Sequence, residues 1–281
     1  MRQGHSSSNK VKINNLGFEF TDEFTELTQK YDIKSSEVNK RIWESFYNKT
    51  DEIPYLKTHR DYIEKFNYGY GNRPLHFMWK LLIDHMPKKF KFLEIGVFKG
   101  QIISLVQLIS EKEGKKPYIW GITPLTAAGD KYSEHPDINY VKAIKKVYRD
   151  FGLNFKNTKL IKGFSQDRKV VEKARQQAPF DIIFIDGCHE YEAVVNDLIN
   201  YSNLVRKGGF MVIDDASNYV KTPKYVNPSR GKLKRALGIG KVAMFSGFYE
   251  VSNAIRDILD KDTRFIHLFA CGHDRVWLKV K

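Results

Sequence analysis

The chain of 281 residues contains little cysteine, with one residue at Cys188 and one at Cys271. Two cysteines cannot build a disulfide framework, and no Cys/His cluster shows zinc-binding spacing. No apolar run reaches the roughly 20 residues that a membrane-spanning helix needs. The first ten residues carry basic side chains without an apolar segment behind them, which is not the pattern of a secretory signal. These absences predict a globular protein in a reducing, cytoplasmic setting, without a membrane partner.

Acidic residues are also scarce relative to basic ones, and the formal net charge is +14. The segment 221–241 holds seven lysines and arginines and no acid. Such a field favours an anionic partner, for example a nucleic acid, an acidic glycan or a nucleotide-linked sugar. Because the segment contains glycines and follows a strand, it also suits a lid over a substrate. The alternative is a solvated surface that keeps the protein soluble.

Apolar residues make up 42% of the chain and aromatic residues 14%, which is ample for a packed core. Apolar, β-branched runs alternate with amphipathic segments from Phe90 onward. This alternation predicts a mostly parallel sheet with helices on both faces. Two further strands near the C-terminus predict an antiparallel hairpin at one edge, which makes a seven-stranded, Rossmann-like α/β fold. The strands are predicted at 90–95, 118–122, 159–162, 180–185, 210–213, 265–269 and 276–280.

The first 70 residues lack such strand runs. We predict a flexible tail over 1–15, followed by helices that begin near Thr21 and Ser35. These helices form an extension packed on a main domain that spans 71–281. The glycines of 68–71 predict a joint between the two parts, and a helix is predicted from Pro74 to about His85.

Two predicted strands end in acidic residues. Asp186 follows the buried run Ile182–Ile185 and precedes His189, while Asp214 and Asp215 end the next strand. Carboxyl ends of adjacent parallel strands meet at one edge of a sheet, where α/β proteins place their ligands. Carboxylates and a histidine there indicate a divalent metal with a base beside it. Individually, Asp186 is equally a turn residue, the aspartate pair a solvated strand end and His189 a structural histidine.

A third strand end carries Glu94, Gly96 and Gly100 at a predicted strand-to-helix turn. The two glycines let the backbone approach a ligand closely beside the positive end of the next helix. The spacing is neither the dinucleotide-binding fingerprint nor a P-loop. Glu94 favours a cationic or hydroxylated ligand over a phosphate. The glycines are equally consistent with close packing of strand on helix.

The motif Glu94-x-Gly96-x-x-x-Gly100 resembles the cofactor loop of class I S-adenosylmethionine-dependent methyltransferases. The segment 163–167 is similar to the adenine-contacting segment of catechol O-methyltransferases. The acidic motifs, Asp186-Gly-Cys-His189-Glu-Tyr-Glu192 and Asp214-Asp215, resemble those of metal-dependent macrolide-sugar O-methyltransferases. The resemblance covers residues 75–278 in order.

This resemblance implies S-adenosylmethionine and Mg²⁺, or another divalent cation, as cofactors. It places Glu94, Gly96 and Gly100 at the methionine part of the cofactor, and Ser165 and Gln166 at its adenine. It makes Asp186, Asp214 and Asp215 metal ligands, with Asp186 and His189 acting in catalysis and His189 as the base. The unperturbed pKa of histidine, about 6.5, would leave such a base mostly neutral at pH 7.

One position departs from the family pattern. Thr123 stands where the family has an acid that binds the ribose, and Asp130 is the nearest residue that could compensate. The implied function is O-methylation of a hydroxyl on a sugar or glycosylated small molecule, and the basic charge favours an anionic acceptor. The alternatives are a nucleic-acid-binding or nucleic-acid-modifying protein on the same scaffold, or a scaffold without activity. A homo-oligomeric state is left open.

Overall fold

A computed structural model describes residues 21–32, 35–216, 222–224, 243–245 and 247–281 of the chain. The predicted tail over 1–15 lies outside these residues, as does most of the basic segment 221–241. The predictions of a flexible tail and a substrate lid therefore remain predictions. Within the described ranges, no helix combines the length and the apolarity that crossing a membrane requires.

Four helices precede the sheet, and residues suited to helix starts begin them. The helices are α1 (Asp22–Lys30), α2 (Ser36–Glu52), α3 (Pro54–Phe66) and α4 (Pro74–Asp84). The side chains of Thr21 and Ser35 accept hydrogen bonds from the first turns of α1 and α2. The predicted starts at Thr21 and Ser35 are thus confirmed. The break that separates α2 from α3 was not predicted, although proline at the first position of a helix marks it.

Strands and helices then alternate along the chain. The strands are β1 (Lys89–Ile95), β2 (Lys116–Thr123), β3 (Thr158–Lys162), β4 (Phe180–Ile185), β5 (Val205–Ile213), β6 (Thr222–Lys224), β7 (Ala243–Phe245), β8 (Phe265–Cys271) and β9 (Asp274–Lys279). The helices between them are α5 (Gln101–Lys112), α6 (Tyr140–Asp150), α7 (Arg168–Arg175), α8 (Tyr191–Tyr201) and α9 (Tyr249–Ala254). A 3₁₀ turn over Ser202–Leu204 follows α8, and a π-helical turn over Ile255–Leu259 follows α9.

The main sheet has seven strands in the order β3-β2-β1-β4-β5-β9-β8. The first five are parallel, and β9 pairs antiparallel with both β5 and β8. The predicted seven-stranded α/β fold with an antiparallel C-terminal hairpin is confirmed. A separate antiparallel pair, β6 with β7, lies outside this sheet.

Side chains alternate between two faces of the sheet because successive strand residues point in opposite directions. On one face, Phe92 and Phe184 contact Trp79 of α4, with ring centroids 5.6 and 5.0 Å apart. Phe24 of α1 shares this core. On the other face, Leu93 and its neighbours pack with α7, α8 and α9. Helices α1–α4 therefore cover one face of the sheet, while the boundary predicted at residue 70 stays a prediction.

Two predicted boundaries are wrong. The sequence after β2 predicts a helix over Pro136–Phe151, but this helix begins only at Tyr140, where the side chain of Asn139 accepts a hydrogen bond from the backbone N–H of Lys142. The sequence also predicts a helix from about Tyr191 to Val205 that the glycines at 208–209 stop, but these glycines lie inside β5. There the pairing of β5 with β4 shifts register, since Phe180 pairs with Val205 and Ile182 with Phe210. The glycine pair thus forms an irregularity within the strand.

Candidate functional site

The predicted acidic residues lie where three neighbouring parallel strands end. The backbone N–H of Asp186, just after β4, donates to the carbonyl of Ile95 in β1 at 2.8 Å. The N–H of Asp214, just after β5, donates to the carbonyl of Ile185 at 3.0 Å. Asp215 has a φ of +54°, a left-handed conformation that turns the chain sharply at the end of β5. The structure therefore brings Asp186, Asp214 and Asp215 to one edge of the sheet, as the sequence predicted.

His189 lies between two carboxylates. Its Nδ1 is 2.6 Å from Oδ2 of Asp130, and its Nε2 is 3.0 Å from Oδ2 of Asp215. Burial alone would lower the pKa of His189, but Asp215 and Asp130 raise it to about 9. The expectation of a mostly neutral histidine at pH 7 is therefore wrong for this arrangement. The two carboxylates stabilise the imidazolium form.

Asp130 is fully engaged with groups around His189. Its Oδ2 accepts from the backbone N–H of His189 at 2.8 Å, as well as from the ring. Its Oδ1 accepts from the backbone N–H groups of Tyr132 and Ser133 at 2.9 and 2.8 Å. Burial raises the pKa of Asp130, but these hydrogen bonds outweigh that effect and lower it to about 2. Asp130 thus orients His189, and its suggested role at the ribose does not fit this placement.

Two functional candidates were missed by sequence reasoning, namely His273 and Asp274 in the β8–β9 hairpin. Ile213 of β5 pairs with Arg275 of β9, so the hairpin turn lies beside Asp214. His273 Nδ1 is 2.5 Å from Oδ1 of Asp214 and 3.0 Å from Oδ1 of Asp215. The polar Gly-His-Asp turn between two apolar strands was visible in the sequence, but the position of the hairpin beside β5 was not.

The acids of this site share one electrostatic environment. Burial raises the pKa of Asp186, and the charges of Asp214, Asp215, Glu94 and Asp274 raise it further. Burial also raises the pKa of Asp274, again with help from Asp214. For Asp215, burial acts in the same direction, but His273 and His189 lower the pKa overall. The cluster therefore carries more acidic groups than its two histidines can neutralise, which suits a divalent cation.

The glycine loop after β1 adopts conformations that other residues rarely take. Gly96 has a φ of +100° and Gly100 a φ of +88°. A Cβ on Gly96 would lie 1.8 Å from the carbonyl oxygen of Asp186. This glycine thus allows the chain after β1 to pass directly against the chain after β4. Gly100 precedes α5, and a Cβ there would lie 3.2 Å from the side chain of Ile144.

Glu94 is buried in β1 beside this loop. The backbone N–H of Ile103 donates to its carboxylate, and burial raises its pKa to about 8. Its Oε2 has no hydrogen-bond partner among the residues that the structure describes. A buried acceptor without a donor suits a cationic ligand group at this place.

The predicted adenine residues pack against α8. The Gln166 side-chain amide donates to Ser165 Oγ at 2.7 Å and to Oδ1 of Asp197 at 3.2 Å. Burial raises the pKa of Asp197 to about 7, although the hydrogen bonds from Ser165 and Gln166 oppose it. Thr123 ends β2, and its buried hydroxyl accepts from the backbone N–H of Leu125 at 3.2 Å. The cofactor roles of these residues stay predictions.

Comparisons with known proteins agree with this architecture. A family model described as a methyltransferase domain matches residues 93–216. An uncharacterized protein, R132 of Acanthamoeba polyphaga mimivirus, is 30% identical over 178 residues, which cover 61% of this chain and 72% of that protein.

Two solved structures are similar at low identity. The methyltransferase PaMTH1 of Podospora anserina, bound to SAH, is 14% identical with a TM-score of 0.47, and the match covers 93% of this chain and 97% of that one. The MycE methyltransferase of the mycinamycin biosynthetic pathway, in complex with Mg and SAH, is 18% identical with a TM-score of 0.44. That match covers 73% of this chain and 49% of MycE.

Proposed function

This chain belongs to the class I S-adenosylmethionine-dependent methyltransferases, and we propose that it transfers the methyl group to a hydroxyl in a divalent-metal-dependent reaction. The acceptor that we propose is a sugar or a glycosylated small molecule. The observation that carries the proposal is the partly buried group of Asp186, Asp214 and Asp215 at the ends of β4 and β5, with His189 Nε2 3.0 Å from Oδ2 of Asp215. A hydroxyl bound at this edge lies near carboxylates that can hold a cation and near a histidine nitrogen that can accept the hydroxyl proton.

The donor set at this edge fits a hard or borderline divalent cation. Its members are carboxylates from two adjacent strand ends, and one further acid, Asp274, is buried beside them without a hydrogen-bond donor among the described residues. In this proposal Asp186, Asp214 and Asp215 hold the cation. When bound, the cation lowers the pKa of a coordinated acceptor hydroxyl and neutralises charge on Asp215.

The loop after β1 fits the methionine part of S-adenosylmethionine. The unpartnered Oε2 of Glu94 supports a role in holding the ammonium group. In this proposal Gly96 and Gly100 place the loop backbone at the cofactor, because their positive φ values set the path of the chain between β1 and α5. Ser165 and Gln166, together with Asp197, supply hydrogen-bonding groups for the adenine. The cofactor supplies an electrophilic methyl group next to the acceptor.

In the proposed reaction His189 Nε2 accepts the proton of the acceptor hydroxyl. Asp130 holds the ring through Nδ1, so that Nε2 points toward Asp215 and the acidic edge. The imidazolium of His189 must first lose its proton. A cation that neutralises Asp215 would favour this loss, because the pKa of His189 would then fall toward its ordinary value. Holding the acceptor oxygen in line with the methyl group supplies much of the remaining rate enhancement.

Aromatic rings beside His189 support a ring-shaped acceptor. Phe248 lies 4.6 Å from His189 and 4.5 Å from Tyr132 between ring centroids. Within this group Tyr132 is 41% exposed, so one of the rings faces solvent. Rings of this kind offer an apolar face with polar edges, which suits a sugar or an aromatic aglycone.

Calorimetry with S-adenosylmethionine, with and without Mg²⁺, tests the proposal at its first step. We expect binding in both conditions, followed by methyl transfer to hydroxyl-bearing glycosides in the presence of a divalent cation. Absence of cofactor binding in both conditions would overturn the enzymatic proposal. Cation-independent methylation of an oligonucleotide, with binding that weakens steeply with salt, would favour the nucleic-acid alternative instead.

A further inference from the structure

We infer that His273 and Asp274, in the β8–β9 hairpin, join Asp214 as metal ligands, and that the site therefore selects a transition-metal ion over Mg²⁺. This inference rests on the proposed metal-dependent function and adds two ligands and a metal class to it. The metals that it favours are borderline divalent ions of the first transition row, such as Fe²⁺, Co²⁺ and Zn²⁺.

The three ligand atoms converge in space. One atom each of Asp214, His273 and Asp274 lies within 4.8 Å of the other two. His273 Nδ1 is 2.5 Å from Oδ1 of Asp214 and 3.9 Å from Oδ2 of Asp274. The imidazole nitrogen thus lies among carboxylate oxygens, in the position that a nitrogen ligand takes in a mixed site.

Asp274 points to a cation independently of its acidic neighbours. It has no exposed surface, and neither carboxylate oxygen has a hydrogen-bond donor among the described residues. Burying a carboxylate without a donor costs several kcal/mol in general, unless a cation or a proton neutralises it. A metal bound to Asp214 and His273 would supply the missing partner.

The hairpin turn holds both residues firmly at this edge. The backbone N–H of Ala216 donates to the carbonyl of His273 at 2.8 Å, which ties the turn to the chain after β5. Cys271 pairs with Asp274 across the hairpin, so the turn between them is short. Ligands that are fixed before metal binding lose little conformational freedom on binding.

Asn72, just before α4, holds the second nitrogen of the His273 ring. The two groups, Asn72 Nδ2 and His273 Nε2, lie 3.2 Å apart. The amide can turn so that its oxygen accepts a proton from Nε2, which makes Nδ1 the metal-binding nitrogen. Ligating histidines commonly donate their other ring N–H to such a partner, which sets the orientation of the ring.

A nitrogen ligand changes the choice of metal. Imidazole suits transition metals such as Fe, Ni, Cu and Zn, whereas Mg²⁺ prefers oxygen ligands and retains several waters. The contrasting interpretation is that His273 serves as a counter-ion to the aspartates, next to an all-oxygen Mg²⁺ site. The two interpretations differ in whether a bound metal contacts nitrogen.

Pulsed EPR of Mn²⁺ bound to the metal-stripped, full-length protein distinguishes them. We expect a ¹⁴N modulation of the Mn²⁺ echo in the natural protein. The modulation should be lost in His273→Gln and kept in His189→Gln, which is the matched control. Titration should also show that Co²⁺ binds at least tenfold more tightly than Mg²⁺, and that His273→Gln weakens Co²⁺ about 10- to 100-fold.

The outcomes separate this inference from the proposed function. Bound Mn²⁺ without a ¹⁴N modulation in the natural protein overturns the inference and leaves a metal-dependent methyltransferase. The inference is likewise overturned if the modulation disappears in His189→Gln and persists in His273→Gln. Failure of Mg²⁺, Mn²⁺ and Co²⁺ to bind overturns both the inference and the metal dependence. If His273→Gln fails to fold, the natural protein and His189→Gln decide the question, because a ¹⁴N modulation that persists without His189 requires another nitrogen ligand.

Discussion

One carboxylate oxygen of Asp130 contacts His189 twice, at 2.8 Å from its backbone nitrogen and at 2.6 Å from Nδ1 of its ring. The contact links the loop after β2 to the loop after β4. It determines which ring nitrogen faces the acidic edge, because Nδ1 is occupied and Nε2 is directed at Asp215. Asp130 is therefore a positioning residue in the proposed reaction.

Replacing Asp130 by asparagine should lower the methyl-transfer rate about 10- to 100-fold, because the neutral amide holds the imidazole less firmly. Cofactor affinity by calorimetry should not change. Ser133→Ala is the matched control, since it removes the hydroxyl that lies 2.9 Å from the other oxygen of Asp130 but leaves the contact with His189. Equal rates in Asp130→Asn and Ser133→Ala would show that the contact has no positioning role.

Removing the proposed base should lower the methyl-transfer rate more than replacing Asp130 does. His189→Ala should reduce turnover by ~10²–10⁴, because the acceptor hydroxyl loses its proton acceptor. The dissociation constant of S-adenosylmethionine should stay the same. His85→Ala, which lies between α4 and the amino end of β1, controls for general loss of stability. A natural rate in His189→Ala would exclude this residue as the base.

The glycine loop yields a stability prediction that needs no assumption about function. Gly96→Ala should lower the free energy of unfolding by about 3 kcal/mol or more, because the new Cβ collides with the backbone of Asp186. Gly114→Ala is the matched control, since its φ of +66° is also left-handed but a Cβ there meets nothing within 4 Å. It should cost only about 1–2 kcal/mol. Urea unfolding of both variants measures the difference, and equal losses would contradict the collision.

Cofactor binding should release protons through Glu94. Its pKa of about 8 means that the free protein holds this carboxyl mostly protonated at pH 7. Pairing with an ammonium group favours the carboxylate, so close to one proton leaves on binding, and affinity rises up to about tenfold per unit as pH increases toward 8. Calorimetry in buffers of different ionisation enthalpy measures the release. Glu94→Gln should abolish this proton, and identical release in both proteins would refute the assignment.

A pair of buried histidines should make the protein acid-sensitive. His59 of α3 and His76 of α4 are both buried, and His59 Nδ1 lies 2.9 Å from His76 Nε2. Burial, aided by Arg60, lowers the pKa of His59 to about 3. Burial and the charges of His59, Arg60 and Arg73 likewise lower the pKa of His76.

The sign follows from the unfolded chain, where both histidines bind protons below about pH 6.5 while the native protein does not. Stability should therefore fall by up to about 1.4 kcal/mol per pH unit for each histidine as pH decreases from 6.5 toward 3. His59→Gln should show a shallower dependence in urea unfolding at several pH values. Ser104→Ala, which removes the hydroxyl 3.0 Å from His59, should lower stability without changing the slope. An unchanged slope in His59→Gln would contradict the prediction.

Local chemistry explains which parts of the fold the sequence predicted. The helix starts at Thr21 and Ser35 depend on a side chain and a backbone group three residues away, so the pattern is visible in the chain. Strands that consist of an apolar run, such as Phe180–Ile185, are visible in the sequence for the same reason. The glycines at 208–209 were misinterpreted because their role depends on the pairing of β5 with β4.

The residues of the site also divide into those that local sequence predicts and those that depend on tertiary contacts. The sequence predicted Asp186, Asp214 and Asp215 because the carboxyl ends of adjacent parallel strands lie at the same edge of a sheet. The contact of Asp130 with His189 was not predicted, because it depends on the path of a long loop that sequence spacing does not reveal. His273 and Asp274 were missed because the insertion of β9 between β5 and β8 is a tertiary event. The pKa of His189 likewise depends on two partners, Asp130 and Asp215, that come from separate segments of the chain.

The position of β9 has a consequence for biosynthesis. This strand occupies an interior place in the sheet, although every other strand of that sheet precedes it along the chain. In a ribosome-bound chain that lacks β9, the edge of β5 would be unpaired, and the β5–β9 pairing that places His273 beside Asp214 would not have formed. We therefore expect the acidic edge of the sheet to form last. The chain should bind metal only after the β8–β9 hairpin has been translated.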